Sequence, residues 1–259
     1  MRIEPFKQSE LKMFASLLCD GYILTDVETF DELRSFIHAS RAKHPNCRLL
    51  TTLDDHGQAA YTSGHAIMAH RLDDVLGHDL SALEPTCFEN GAHIGSLTTK
   101  AEFPIRLANM QRASEPRLFD DLQGKLTWGP DDWGLDFFEL NAAPSSILDH
   151  AEILVQIVPV EQAFETLAAF PNGYFTDDLS PLDSWCLAKH LDTTYGIELF
   201  GIGASYMAFE QTRPLNEREQ RRAATDILSL YNMSEEPALQ GQMIKIFEAP
   251  GAFVLRFTQ

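Results

Sequence analysis

Capping signals followed by regularly spaced apolar residues predict the helices of this chain. Thr29 and Glu32 have the spacing of a capping box, in which each side chain satisfies a free backbone N–H at the start of a helix. Apolar residues then recur every three or four positions, which places them on one helix face. The same spacing occurs in two further pairs, Ser180 with Asp183 and Asn216 with Glu219. The sequence therefore predicts helices that begin after residues 29, 180 and 216.

Short apolar runs bounded by glycine, proline or aspartate predict the strands. Asn90 and Gly91 lie between two such runs, and this dipeptide is the strongest short signal of a β-hairpin. A run over 47–53 is followed by turn-forming residues at 54–57, so a return strand is predicted at 58–62. Further strands are predicted at 22–24, 125–128, 135–140, 152–158, 197–200, 205–209, 243–248 and 252–257, and further helices at 9–18, 65–76, 160–170 and from about 99.

The order of these elements indicates an α+β fold. Helices and hairpins are mixed along the chain, with few of the strand–helix–strand units that build a doubly wound parallel sheet. We expect mixed or antiparallel sheets with packed helices. The short uncharged segment 141–146 is the best candidate for a linker. The sequence thus predicts two α+β subdomains, an N-terminal one over 1–143 and a C-terminal one over 150–259.

The charge of the chain restricts its partners. Its 259 residues include 20 Lys and Arg against 38 Asp and Glu, a formal net charge of −18. A protein that binds nucleic acid without sequence preference needs basic side chains along the phosphates, and docking on an anionic membrane needs them as well. We therefore expect neither a nucleic-acid nor a membrane partner. An acidic surface speeds encounter with a positive one, so a protein partner of this chain should be basic.

The cysteines and the first residues indicate a reducing compartment. Cysteines occur at 19, 47, 87 and 186, and no two have the CxxC spacing of a zinc or redox motif. The N-terminal residues carry charge at once and contain no apolar signal core. The longest apolar run, 153–160, is far too short to span a membrane. We expect free thiols, no cofactor and a cytoplasmic location, with the oligomeric state left open.

Histidine and aspartate are concentrated over residues 54–79. Imidazole and carboxylate groups bind many divalent metals, and His70 and Asp74 are one turn apart if this segment is helical. His65 does not share the helix face of His70, and the HExxH motif of zinc hydrolases is absent. Two interpretations stay open: a solvated helix face, or a metal site formed by His56, His70, Asp74 and His78.

Other catalytic motifs are incomplete. The glycines at 201 and 203 are followed by an apolar run rather than by a helix start, so they indicate a tight turn between strands instead of a phosphate loop. No GxSxG nucleophile elbow is present. Cys186 and His190 are four residues apart on one predicted helix, but the sequence shows no third group to orient the histidine. We expect a buried cysteine beside a partly exposed histidine.

Two predicted loops join adjacent aspartates to aromatic residues. One has Asp131 and Asp132 between Trp128 and Trp133, and the other has Asp177 and Asp178 after Tyr174 and Phe175. An aromatic ring can anchor a partner while neighbouring carboxylates steer it, so the combination is typical of a binding surface. Aspartates in turns also bind their own backbone, so the same residues fit a purely structural turn. The candidate binding residues are Asp131, Asp132, Trp133, Asp177 and Asp178.

Residues 157–231 carry a succession of motifs with a family resemblance. The matching pieces are Val158-Pro159, Phe164-Glu165, Ala168, Pro171, Gly173, Trp185, Tyr195-Gly196 and Phe209. They resemble the bacterial domain-of-unknown-function family numbered 4253, although the tryptophan-rich ending of that family is replaced here by residues 252–257. The resemblance implies an α+β domain of a bacterial cytoplasmic protein and brings no catalytic motif. Residues 1–150 show no such resemblance.

Two functions from different classes fit the sequence. The first is a non-enzymatic bacterial cytoplasmic interaction protein, such as an immunity or inhibitor protein that binds and occludes a toxin or another basic partner. It rests on the net charge, the incomplete catalytic motifs and a family without known chemistry. The alternative is a metal-dependent hydrolase that uses the histidine and aspartate cluster at 54–79.

Overall fold

Helices and strands are mixed along the chain, which confirms the predicted α+β class. The structure is a computed structural model that describes residues 1–10, 17–129, 136–149 and 151–258. Its strands are β1 (Arg2–Phe6), β2 (Gly21–Thr25), β3 (Arg48–Thr51), β4 (Phe88–Glu89), β5 (Ala92–His93), β6 (Ile153–Val158), β7 (Ile197–Ile202), β8 (Tyr206–Gln211) and β9 (Ala252–Arg256). Its α-helices are α1 (Phe30–Arg41), α2 (His56–Ala69), α3 (Phe103–Ser114), α4 (Phe137–Ala142), α5 (Pro181–Tyr195), α6 (Glu217–Ser229) and α7 (Pro237–Phe247).

The capping signals begin helices where the sequence predicts them. Thr29 Oγ1 accepts the N–H of Glu32 at 3.2 Å, and the Glu32 carboxylate accepts the N–H of Thr29 in return. Ser180 caps α5 and Asn216 caps α6 through the same reciprocal arrangement. Helix α5 ends at Gly196, whose φ of 68° is the left-handed conformation that glycine adopts most easily. These local signals are sufficient to place three helix starts.

One seven-stranded mixed sheet forms the centre of the molecule. Its strand order is β1-β2-β6-β3-β7-β8-β9, and all neighbours are antiparallel except β3 and β7. Strand β6 comes from the second half of the chain and lies between β2 and β3 from the first half. The predicted ranges 1–143 and 150–259 therefore share one sheet, so the expected division into two subdomains is not found there.

The expected linker at 141–146 belongs to this same body. It forms the end of α4 and a 3-10 turn over Pro144–Ile147. Asn141 Nδ2 donates to the Val254 carbonyl at 2.9 Å, and Asn141 Oδ1 accepts the Val254 N–H at 2.7 Å. The side chain thus occupies backbone groups of the edge strand β9, which would otherwise be open to another strand.

Alternation along the strands divides the core between the two faces of the sheet. Leu49 and Val254 belong to the cluster that α1 and α4 complete. Their neighbours Leu50 and Leu255 belong to a larger cluster with α2, α3, α5, α6 and α7. The molecule therefore has three layers, with the sheet in the middle.

The segment after β3 differs from its predicted structure. The sequence predicts a turn at 54–57 and a return strand at 58–62, but α2 begins at His56. Asp55 is its N-cap, and Asp55 Oδ1 accepts the N–H of Gln58 at 2.9 Å. Aspartate and glycine are favoured in hairpin turns and at helix starts alike, so the local signal was ambiguous. Helix α2 also ends at Ala69, earlier than the predicted end at 76.

Four other predicted elements are wrong in type. Residues 135–140 include the start of α4, and 243–248 belong largely to α7 rather than to strands. Residues 160–170 contain a 3-10 segment over Ala163–Ala168 rather than an α-helix, and 125–128 form no strand. The apolar runs at 135–140 and 243–248 are short enough to fit a strand or a buried helix equally well, which explains the error in these two. Most of the predicted helix at 9–18 lies outside the described residues.

Candidate functional site

The loop over residues 171–180, which precedes α5, carries one of the two predicted acid–aromatic sites. Its ends are fixed by the core: Asn172 Nδ2 donates to the Gly203 carbonyl at 2.7 Å, and the Leu179 N–H donates to the Phe257 carbonyl at 2.9 Å. Gly173 has a φ of +103°, and a Cβ there would lie 1.8 Å from the Leu179 carbonyl oxygen, so only glycine fits. Residues 174–177 between these anchors are exposed to solvent.

The structure places two of the five candidate binding residues, Asp177 and Asp178, on this loop, while Asp131, Asp132 and Trp133 lie outside the described residues. Asp178 is half-buried and closes a turn. Its Oδ2 accepts the Phe175 N–H at 3.2 Å, and its own N–H donates to the Phe175 carbonyl at 3.2 Å. The structural interpretation of an aspartate in a turn therefore holds for Asp178, whereas the Asp177 carboxylate is presented to solvent.

Four exposed side chains and the half-buried His65 form a surface beside this loop, which we name the aromatic ledge: Tyr61, His65 and Met68 of α2, with Tyr174 and Phe175 of the loop. The ring centroids are 4.5 Å apart for Tyr61 and His65, 4.8 Å for His65 and Tyr174, and 5.5 Å for Tyr174 and Phe175. Tyr174 is 43% exposed, Phe175 53% and Met68 62%. Large apolar side chains that are exposed together mark a candidate interaction site.

The ledge depends on the orientation of α2. Positions 61, 65 and 68 are separated by four and three residues, so they share one helix face. The buried side of the helix consists largely of small residues, including Ala59, Ala60 and Ser63. Sequence reasoning missed this face because it assigned 58–62 to a strand. The spacing of 61, 65 and 68 is the signal that would have revealed it within a correctly assigned helix.

A cavity of about 400 Å³ lies beside the ledge, between the loop, the end of α2 and the start of α5. Tyr174 and Phe175 belong to its lining, so the cavity and the ledge are continuous. Its charged and polar lining includes His70, Arg117, Lys125, Asp177, Asp178, Ser180 and Asp183. The cavity thus brings together Asp177 and Asp178, which were candidate binding residues, and His70, which was a candidate metal ligand in the alternative interpretation.

Asp183 is the deeply buried charge of this cavity, with 4% of the residue exposed. Its Oδ2 accepts from the Ser180 hydroxyl at 2.8 Å and from Lys125 Nζ at 2.9 Å, and its Oδ1 faces Arg117 Nη1 at 3.4 Å. Burial alone would raise the pKa of Asp183, but its donors, Lys125 foremost, hold that pKa below its ordinary value. Burial and the Arg117 charge lower the pKa of His70.

The four candidate metal ligands are not brought together. His56 begins α2 and His70 follows its last residue, and a helix of 14 residues is about 21 Å long. At the first end, His56 Nδ1 lies 3.5 Å from Asp149 Oδ2. At the other end, His70 lines the cavity described above.

Asp74 and His78 also have separate partners. Asp74 Oδ2 accepts from Arg71 Nη2 at 2.8 Å, and His78 Nε2 lies 3.0 Å from Asn109 Oδ1. Within the described parts of the chain, no group of three or more His, Cys, Asp or Glu side chains is placed to hold a metal ion. The geometry therefore does not assemble the site that the metal-dependent alternative requires.

Cys186 and His190 have different partners rather than each other. Cys186 Sγ donates to the Arg117 carbonyl at 3.6 Å, and burial raises the pKa of its thiol. His190 Nε2 lies 2.7 Å from Asp226 Oδ2, and its ring stacks on Phe119 at 3.9 Å. Asp226 is the orienting group that the sequence did not reveal. A nucleophilic cysteine needs a lowered pKa, and burial shifts the pKa of Cys186 in the other direction.

Asp54 joins the end of β3 to the turn between β7 and β8. Its Oδ2 accepts the Ser205 N–H at 2.9 Å, and burial raises the pKa of Asp54 to about 6. A Cβ on Gly203 would lie 1.9 Å from Asp54 Oδ1, so glycine permits this close approach. The tight turn predicted within 201–205 is confirmed over 203–205, between β7 and β8, and it packs against a carboxyl group.

Comparisons with known proteins identify no relative. No protein-family model matches the chain, no curated protein matches it, and no solved structure matches its fold. The resemblance over residues 157–231 therefore stays a prediction. Among the described helices, none combines the length and the apolar character needed to cross a membrane.

Proposed function

We propose that this chain is a non-enzymatic binding protein and that the aromatic ledge is the surface with which it captures a basic protein. The observation that carries the proposal is the row of contacting rings that the fold leaves exposed. An immunity or inhibitor protein acts in this way, because covering the working surface of a toxin is enough to block it.

The composition of the ledge supports a role in binding. Tyrosine and other aromatic residues supply most of the energy of many interfaces, since they bury a large area and have few rotatable bonds. Tyr174 and Phe175 are held outward by a loop whose two ends are fixed in the core. The surface is therefore organised before a partner arrives, which lowers the entropy cost of binding.

Charge supports a basic partner. Asp177 is exposed next to the ledge, and the whole chain carries a formal net charge of −18. A field of this sign accelerates the approach of a positive surface and disfavours acidic competitors. The ledge would then supply affinity, and the acidic surface would supply the encounter rate and selectivity.

The test is affinity capture followed by direct binding. The chain is immobilised, exposed to a lysate of the organism that encodes it, and eluted with salt. Each captured protein is then purified and titrated against the free chain. We expect one basic protein that binds the wild type and is lost with the double variant Tyr174→Ala, Phe175→Ala.

The matched control is Ile3→Ala, which shortens an exposed apolar side chain that lines a separate groove between β1 and α1. It should leave binding unchanged. An acidic partner, or a partner that is insensitive to the ledge variant, would contradict the proposal. Self-association that disappears with the ledge variant would show that the surface serves a second copy instead. Metal analysis of the purified protein tests the hydrolase alternative.

A further inference from the structure

We propose that the outer edge of β1 pairs with the same edge of a second copy of this chain. The two β1 strands would run antiparallel across a two-fold axis at Ile3, so the two seven-stranded sheets would join into one. The proposed function concerns a different surface. Helix α2, which carries part of the ledge, packs on one face of the sheet, and α1, beside β1, packs on the other.

The two ends of the sheet differ in how their outer backbone groups are used. At β9, the Asn141 side chain occupies both backbone groups of Val254. At β1, β2 is the only strand paired with it within the described parts of the chain. An edge strand with open backbone groups is a template for pairing with another chain. The β1 end is therefore the end at which the sheet can be extended.

The backbone groups of Ile3 point outward from this edge. The Ile157 N–H donates to the Asp20 carbonyl at 2.9 Å, so every second residue of β2, counting from 20, bonds to β6. The residues between them bond to β1, at positions 2, 4 and 6. Ile3 and Pro5 thus direct their backbone groups away from β2. Proline has no N–H to donate and suits such an edge position, and Ile3 offers both a donor and an acceptor.

Charge selects one register for this pairing. Outward-facing residues must lie opposite each other, so Ile3 can lie opposite position 1, 3 or 5 of the other copy. The first register sets Arg2 opposite Arg2, and the last sets Glu4 opposite Glu4. Only the middle register sets the Arg2 of each copy opposite the Glu4 of the other. Opposite charges directly across two strands stabilise their pairing, and like charges oppose it. The strand is therefore complementary to itself when Ile3 lies on the axis.

The present contact of Arg2 does not prevent this. Arg2 Nε lies 2.7 Å from Asp26 Oδ2, but the two side chains are 72% and 58% exposed. An ion pair this exposed contributes little to stability, so redirecting the guanidinium to a second copy costs little.

The apolar surroundings of Ile3 favour the same axis. Ile3 is 48% exposed, and it lines a groove of about 520 Å³ between β1 and α1, together with Met1, Phe36 and Ala39. Two Ile3 side chains that meet at the axis would remove apolar area of both copies from water. The paired stretch is short, so we expect a weak dimer with a dissociation constant on the order of micromolar.

Sedimentation velocity of the full chain, from about 5 to about 500 µM, measures this association. Because each copy carries a formal net charge of −18, the buffer contains 0.15 M salt, at which charges more than about 8 Å apart are largely screened. We expect a reversible equilibrium between the monomer of 29.1 kDa and a dimer of twice that mass. A chain that stays monomeric over the whole range would overturn the proposal.

Two charge reversals locate the contact. Arg2→Glu and Glu4→Arg each turn both cross-strand pairs into like-charge pairs, so each variant alone should dimerise at least about tenfold more weakly. An equimolar mixture should recover the wild-type affinity to within about threefold, because an acidic strand then faces a basic one. Damage to the fold would not be repaired by mixing. Arg221→Glu, an exposed reversal on α6, is the matched control and should leave the dimer unchanged.

Dimerisation that survives both reversals, weakens equally with Arg221→Glu, or is not recovered in the mixture would each overturn the proposal. The double variant Tyr174→Ala, Phe175→Ala separates it from the proposed function, because that variant should still dimerise while losing the basic partner. Dimerisation lost with this variant would assign self-association to the ledge and reject the pairing of β1. A chain that dimerises through β1 but captures no basic protein would reject the proposed function alone.

Discussion

Charged side chains are usually exposed and aromatic side chains are usually buried. The segment over residues 70–109 and the aromatic ledge each reverse one half of this rule. In the segment, charges are buried: Arg106 is 1% exposed and Glu102 is 0% exposed. In the ledge, rings are exposed, with Phe175 at 53%. Buried polar groups and exposed apolar patches are the departures that carry most information. The difference separates residues that serve the fold from residues that are available to a partner.

The buried charges of the segment supply hydrogen-bond partners where its backbone is irregular. The Asp73 carboxylate accepts from Arg106 Nε at 2.7 Å and from the Leu97 N–H at 3.1 Å. His93 Nε2 lies 2.7 Å from Glu102 Oε1. Backbone groups of an irregular stretch need partners, and here side chains provide them. The histidines and aspartates that suggested a metal site thus include many that hold loops together.

The largest effect is expected from Arg106. Arg106→Met keeps the volume but leaves the Asp73 carboxylate with an unpaired, partly buried charge, which should lower the free energy of unfolding by about 3–5 kcal/mol. Urea denaturation measures it. Arg71→Met is the control, because Arg71 pairs with Asp74 from an exposed position, and its loss should cost well under about 1 kcal/mol. Similar small losses in both variants would show that the buried pair does not stabilise the segment.

The next effect concerns Glu102 and pH. Burial would raise the pKa of Glu102, but hydrogen bonds from His93, Thr98 and Thr99 outweigh burial and lower that pKa. A carboxyl with a lowered folded-state pKa stabilises the fold above its unfolded pKa, and the contribution disappears as pH falls through the folded value. Glu102→Gln should therefore cost about 1–3 kcal/mol near neutral pH, and the loss should shrink in acid. A loss independent of pH would contradict this account.

The effect at Asp54 has the opposite sign. Burial raises the pKa of Asp54 to about 6, so the ionised form is disfavoured in the folded state. Its contribution is present below the unfolded pKa and is lost as pH rises through about 6. Asp54→Asn should then raise stability above that pH by on the order of 2 kcal/mol. Thermal unfolding across this range, compared with the wild type, measures the difference, and destabilisation at all pH values would refute it.

The smallest effect on folding is expected at Asp177. Asp177→Lys reverses an exposed charge and should change stability by less than about 0.5 kcal/mol. It should slow association with a basic partner by about tenfold at low salt, and the difference should fade as salt is added. Stopped-flow mixing measures the rate. A rate indifferent to both salt and this reversal would show that charge does not guide the encounter.

Local chemistry explains how much of the molecule was predictable from its sequence. The capping boxes at Thr29, Ser180 and Asn216 involve residues three apart, so they could be identified without knowledge of the fold. The position of β6 between β2 and β3 depends on contacts about a hundred residues apart, and no local pattern indicates it. The ledge combines α2 with a loop far along the chain, so only its loop part, Tyr174 and Phe175, lay within a region that the sequence singled out.

The central claim is that the exposed rings serve binding and the buried groups serve folding. It is tested most directly by measuring both properties of one protein, the double variant Tyr174→Ala, Phe175→Ala. We predict that its free energy of unfolding changes by less than about 1 kcal/mol, while its dissociation constant for the captured basic partner rises by about 100-fold or more. A variant that unfolds easily but binds the partner as tightly as the wild type would contradict the claim.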